Sequence, residues 1–310
     1  MQLSDHFAIW SHTLCLKMTH ETDTCERMPK AFFIQTRHGP CFCLFHEPKE
    51  KKERGSILYL HPFAEELNTT RRIVAQQARN LAELGYGVLQ VDLFGCGDSA
   101  GNFEDATWDA WLDTAHEALE WLKGNSLNPI WFWGLRAGAL LATELLKQHH
   151  KKDPQQVNLL LWQPVSNGQQ MLKQLMRLKD AGEWVGAKST NTKPADKIWE
   201  QGGAVEIAGY VISSELAGGL AKTRIAPSTC ETRGILVWIE VSSHITPTLS
   251  PASEKSLSLW SNAGWNVQAN AVSGNNFWQN ISTTDTPNLW SVTKDAMEMA
   301  NKLKSLGPNN

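Results

Sequence analysis

One pentapeptide in this chain has the layout of covalent catalysis with the wrong residue at its centre. Gly134-Leu135-Arg136-Ala137-Gly138 joins a short apolar run, Ile130 to Trp133, to an Ala/Leu-rich segment. Small residues two places either side of a central one describe a nucleophile elbow, G-x-S-x-G, where a sharp strand-to-helix turn lifts a serine above a sheet. The flanks are small because such a turn leaves no room for side chains. Here the central residue is Arg136, whose guanidinium stays protonated and cannot be acylated. The usual partners would be an acid just after a strand ending near position 240 and a histidine near 275. Glu240 is present, but residues 274–278 read GNNFW and offer no imidazole. The ordinary acyl-enzyme route is therefore closed.

Arg136 needs compensation on stability grounds. A cation at the start of a helix opposes the macrodipole by roughly 0.3–1 kcal/mol, and elbow backbones add ~1–3 kcal/mol of strain. One reading is an internal ion pair with Glu65, Glu66 or Glu240. The other is that the guanidinium, with the neighbouring backbone at Leu135 and Ala137, grips a carboxylate, phosphate or sulfate on a ligand. Both hold together if the acids orient the fork. Glu65 and Glu66, with His61, are also the candidates for any catalysis, the acids by activating water. His61 stands where a His-Gly turn would help form an oxyanion hole, but the next residue is Pro62, which has no N–H to give. Structural hydrogen bonding is the other reading of His61. Asp92 and Glu240 stand at strand ends on the same edge and are further ligand-binding candidates, and Trp278 is placed to stack on a ligand. Trp108, Trp111 and Trp121 read as core rather than as sugar platforms. In GCGDS, Ser99 reads as a turn residue bonded to nearby backbone.

These residues need a sheet whose strands end together. Residues 31–36 and 41–47 form two aromatic-rich runs around Arg37-His38-Gly39-Pro40, a hairpin signal. SILYL (56–60) is apolar enough for a strand buried on both faces. A helix follows over about 69–84, then a strand at 87–91, a glycine-punctuated loop at 92–101, and a helix opened by Asp105. Strand, elbow and helix come next, and then a strand at 157–162. This alternation implies a mostly parallel, doubly wound sheet of about eight strands with right-handed crossovers. Its functional surface lies at the carboxyl ends of the strands.

Beyond residue 164 the pattern changes. An amphipathic helix at 168–179, a polar irregular stretch at 181–201 and a small-residue segment with a helix at 204–222 precede the next core strand, at 234–241. This is too long for a simple loop and reads as a cap inserted over the sheet. A helix at 252–262, a strand at 265–272, a turn at 273–276 and a helix at 288–306 complete the pattern. The expected organisation is an extension at 1–27, a core made of 28–164 and 233–310, and a cap at 165–232. The extension lacks helical periodicity and reads as disordered, or as the product of an upstream start codon.

The 310 residues carry a formal charge of −3 and no dense Lys/Arg block, which argues against a nucleic-acid or membrane-surface role. No run approaches the roughly 18 apolar residues of a membrane span, and residues 1–27 lack a signal peptide's basic start and apolar centre. Six scattered cysteines (Cys15, Cys25, Cys41, Cys43, Cys96, Cys230) form no C-x-x-C and no disulfide framework. A reduced cytoplasmic setting fits, and nothing calls for a metal or cofactor.

HPFAEELNTTRR, GVLQVDLFGCGDSAGNFEDATWDAW, WGLRAGALLA, AGYVISSEL, the WIEV run with LSPAS after it, and GNNFWQ resemble the exosortase A system-associated hydrolase 2 family of the α/β-hydrolase superfamily. The resemblance runs from about Met28 to Leu306. It implies an α/β-hydrolase fold and a bacterial cytoplasmic protein linked to exopolysaccharide production and the sorting of PEP-CTERM proteins. The expectation is a nominal hydrolase with a degenerate catalytic triad that recognises an anionic glycan or acyl precursor. The alternative is a non-catalytic binding or scaffold protein that contacts exopolysaccharide or exosortase machinery.

Overall fold

The computed structural model describes residues 28–50, 53–125, 129–153, 155–184, 194–228, 230–279 and 285–305. The 1–27 extension lies outside them, as does 185–193, part of the stretch expected to be irregular. The described chain opens with the hairpin β1 (Lys30–Thr36) and β2 (Gly39–His46). Pro40 sits inside β2, whose pairing with the next strand over begins only at Cys43. A proline is tolerated at such a strand start, where no ladder bond is lost.

β3 (Gly55–Leu60), α1 (Glu65–Glu83), β4 (Tyr86–Val91), α2 (Trp108–Asn125), β5 (Ile130–Leu135), α3 (Ala137–Lys152) and β6 (Val157–Trp162) then alternate. After an inserted stretch come β9 (Ile235–Ser242), α7 (Pro251–Asn262), β10 (Asn266–Ser273) and α8 (Pro287–Ser305). The eight-stranded sheet has the order β1-β2-β4-β3-β5-β6-β9-β10. β2 is antiparallel to β1 and β4, and the other pairs are parallel. The insertion contributes α4 (Gly168–Trp184), α5 (Ala195–Glu200), the hairpin β7 (Val205–Ile207) and β8 (Tyr210–Ile212), and α6 (Ser214–Ala221). Its hairpin forms a separate two-stranded sheet.

Two helix starts differ from the sequence reading. α1 begins at Glu65 rather than 69, because the chain reverses at Ala64 (φ 51°) and the first turn takes both acids, which suits the positive helix end. α2 begins at Trp108 rather than Asp105, because 103–105 is a separate 3-10 turn with Asp105 bonded back to the Asn102 N–H. Part of the expected irregular stretch is helical as well, in α5 and the end of α4.

The sheet is buried on both faces, as the unbroken burial of β3, β5 and β6 requires. On one side α1 and α8 cover Ile57, Tyr59, Trp133 and Trp162. On the other, α2, α3 and α7 cover Leu58, Leu60, Phe132 and Leu161, with Trp108 and Trp111 in the same core. No described helix is long and apolar enough to cross a membrane.

His46 is buried at the end of β2, with its Nε2 3.0 Å from the Gln90 carboxamide. Burial, and then the charges of Arg79 and Lys49, lower its pKa to about 4. The unfolded chain therefore binds a proton near pH 6.5 that the folded chain refuses until about pH 4. Stability from this group is complete above pH 6.5 and is lost as the pH falls through that window. At pH 5 the loss amounts to about 2 kcal/mol. Urea unfolding of His46→Gln, which keeps a polar partner for Gln90, should show an acid-side decline shallower by about that amount; an unchanged slope would refute the assignment.

Candidate functional site

β5 delivers the chain to the elbow at the carboxyl edge of the sheet, and α3 leaves from it. Arg136 occupies the turn with φ 56° and ψ −118°, a backbone conformation costly for any residue with a Cβ. Its N–H donates to the Trp162 carbonyl at 3.0 Å and its carbonyl accepts from Ala139 at 3.1 Å. The small flanks are obligatory: a Cβ on Gly138 would stand 2.1 Å from the Leu60 carbonyl oxygen, and one on Gly134 would stand 2.5 Å from the Ala139 Cα. Leu135 lies in the β5–β6 ladder and Ala137 opens α3, both buried.

The side chain of Arg136 turns back over the sheet and is 7% exposed. Nε and Nη2 both donate to Glu66 Oε1, at 3.1 and 3.0 Å, and Nη2 also donates to Gln174 Oε1 at 2.6 Å. None of these bonds uses Nη1. The guanidinium carbon lies 5.2 Å from the centroid of the Trp278 ring, within cation–π range. Trp278 belongs to the loop after β10, the position from which a base would act. Thr69 fixes that loop by donating to the Trp278 carbonyl at 3.0 Å. Burial pushes the Glu66 pKa up, and the adjacent guanidinium opposes the rise. Glu66 Oε2 is shielded from water and has no hydrogen-bond partner among the described residues.

The other candidates lie apart from this cluster. Glu65, exposed in the first turn of α1, accepts from Tyr210 and Asn68 at 3.0 Å each. It therefore fastens α1 to the inserted hairpin. His61 has both ring nitrogens engaged: Nδ1 donates to the Pro62 carbonyl at 2.7 Å and Nε2 accepts from the Leu93 N–H at 3.2 Å. Burial lowers its pKa, opposed by Asp92. Asp92 accepts from the Asp98 N–H at 3.1 Å and faces Arg71 at 3.4 Å. Ser99 bridges Phe42 and Asp92 backbone, as its turn role requires. Glu240 accepts from the Ser250 N–H at 3.1 Å, ahead of α7. The sheet edge thus unites Arg136, Glu66 and Trp278, while His61 and Asp92 together hold the loop after β4, Glu65 ties α1 to the inserted hairpin and Glu240 holds the segment ahead of α7. Gln174 escaped the sequence reading because a glutamine on an amphipathic helix carries no signal of its target.

No family profile matches the chain. Lysophosphatidylserine lipase ABHD12 of Xenopus tropicalis is 32% identical over 114 residues, 36% of this chain and 28% of that protein. Its Mus musculus counterpart is 29% identical over 127 residues, 40% of this chain and 30% of that protein. These matches therefore span under a third of the relatives' own length. Among solved structures, Est1E from Butyrivibrio proteoclasticus with bound ferulic acid superposes with a TM-score of 0.61 at 17% identity, covering 90% of this chain and 100% of that one. The chain has the α/β-hydrolase fold. XC6422 from Xanthomonas campestris, described as a serine hydrolase without a lid, shares this fold at TM-score 0.51 and 14% identity, covering 88% and 95% of the two chains. In this hydrolase-fold protein the elbow geometry is kept and its tip is a cation.

Removing one member of a buried pair strands the other, at a cost of about 3–5 kcal/mol. Glu66→Ala should therefore destabilise the protein by about that much. The double variant with Arg136→Ala should cost clearly less than the two single changes added together. Strict additivity in denaturant unfolding would show that the two side chains do not support each other.

Proposed function

We propose that this hydrolase-fold protein recognises an anionic ligand and does not turn over esters by the serine route. The supporting observation is the tip of the elbow. A guanidinium fixed by Glu66 and Gln174 takes the place of the attacking oxygen, and Trp278 takes the place of the base. Among the described residues Nη1 makes none of these contacts, and it is the atom that would meet a carboxylate or phosphate beside the backbone of Leu135 and Ala137. The ligand class is an anionic glycan or acyl precursor. The similar proteins are consistent with it, since lysophosphatidylserine and ferulic acid both carry acidic groups. Residues 165–232 act as a cap whose Gln174 and Tyr210 reach down to the edge of the sheet. A cytoplasmic role with exopolysaccharide or exosortase machinery rests on the motif resemblance. Any hydrolysis would need water activated by Glu66 or Glu65. A scaffold role in the same system is the second reading, favoured by how little of Arg136 reaches solvent.

A fluorophosphonate probe should leave the protein unlabelled, and stoichiometric labelling would reveal a nucleophile elsewhere. In a thermal-shift screen of sugar phosphates, uronic acids and acyl phosphates, a ligand at about 100 times its Kd should stabilise by about 2.7 kcal/mol. That is a rise in Tm of about 5 °C for a chain of this size. Arg136→Ala should abolish the rise. A full ligand shift in this variant, on a lower intrinsic Tm, would assign the guanidinium to the ion pair alone.

A further inference from the structure

β10 ends the eight-stranded sheet and, among the described residues, pairs on one side only, with β9. Natural edge strands are defended by charge, proline, a bulge or shortness. β10 is eight residues long, NVQANAVS, without charge or proline, and its register with β9 runs unbroken from end to end. The opposite edge, β1, carries Lys30 in an ion pair with Glu47.

The flanks of β10 are also incomplete. α7 and α8 pack against it from opposite faces. A groove of about 330 Å³ runs along the α8 side, lined by Gln268, Asn270, Val292, Asp295 and Met299. Met299 on α8 is 57% exposed and Leu259 on α7 is 48% exposed, so each helix leaves a large apolar side chain in water. The Gln268 carboxamide nitrogen is shut off from water and donates to nothing among the described residues.

We propose that β10 is a self-association edge, through which two copies of this chain pair antiparallel about a two-fold axis perpendicular to the sheet. An exposed ladder calls for another strand, and a second copy of β10 is self-complementary. Side chains of directly opposed residues share a face, so a two-fold register must pair one residue with itself. With Ala269 on the axis, Gln268 faces Asn270 of the partner subunit, carboxamide to carboxamide, on the α8 side. Val267 faces Ala271 of the partner subunit on the α7 side. No like charges meet along the strand. α8 then lies beside its symmetry mate, and Met299 is covered along with the groove. An edge ~26 Å long and roughly 27 Å deep, counting the sheet and a helix layer on each face, gives on the order of 700 Å² per copy. A stable dimer buries about 800 Å² per partner.

Sedimentation of the full chain at about 50 µM should give twice the mass of one chain. Asn270→Lys, which places a charge on the edge, should give a single-chain mass and a cooperative thermal transition, with a Tm lowered only by the association it has lost and no longer dependent on protein concentration. Under mild oxidation Ala269→Cys should cross-link two copies, because residues paired on the axis have Cα atoms ~4.5–5.5 Å apart, and Asn266→Cys should not. A single-chain mass for the unaltered protein overturns the proposal. So does an Asn270→Lys protein that folds and remains dimeric, or cross-linking through 266 in preference to 269.

Discussion

A guanidinium set at the end of a buried strand, against the positive end of a helix, is tolerable only with an anion in contact. Glu66 is that anion, and the pair it forms with Arg136 explains much of the sheet's upper edge. The acid comes from the first turn of α1, where its charge also suits the helix dipole. One carboxylate thereby neutralises the elbow and settles the start of a helix that follows a different strand. Gln174 and Trp278 complete the enclosure from the insertion and from the loop after β10. Three separated segments converge on a single side chain.

The neighbouring polar groups follow a simpler rule. Each strand end leaves backbone groups without a ladder partner, and a polar side chain at that end satisfies them. His61 spans Pro62 and Leu93, Asp92 takes the Asp98 amide, and Glu240 takes the Ser250 amide. Gln163 does the same at the end of β6, accepting from Val241 at 2.6 Å. Residues that look like a row of acid–base groups in the sequence mostly tie loops to the sheet.

The sheet was legible because its strands are short apolar runs between clear turn residues and its helices have one apolar face. The elbow was legible because Gly134 and Gly138 answer to steric contacts that leave no alternative. The start of α1 was not, since Pro62 and Asn68 resemble loop residues and the reversal at Ala64 carries no residue-type signature. The choice among Glu65, Glu66 and Glu240 as the partner of Arg136 was also beyond the sequence. Glu65 and Glu66 are adjacent and alike, and only their angular separation around α1 sends one inward and the other to Tyr210. The β7–β8 hairpin, at three residues a strand, was too brief to show a period.

The mutual dependence of Arg136, Glu66 and Trp278 bears on how such an elbow can evolve. Replacing Arg136 alone would leave Glu66 buried with no counter-charge, and replacing Glu66 alone would leave the guanidinium with only Gln174 and the Trp278 ring. Each single replacement is thus less stable than the pair it breaks. The pair works as a ratchet: once both charges are enclosed at the end of the sheet, neither can be exchanged without the other.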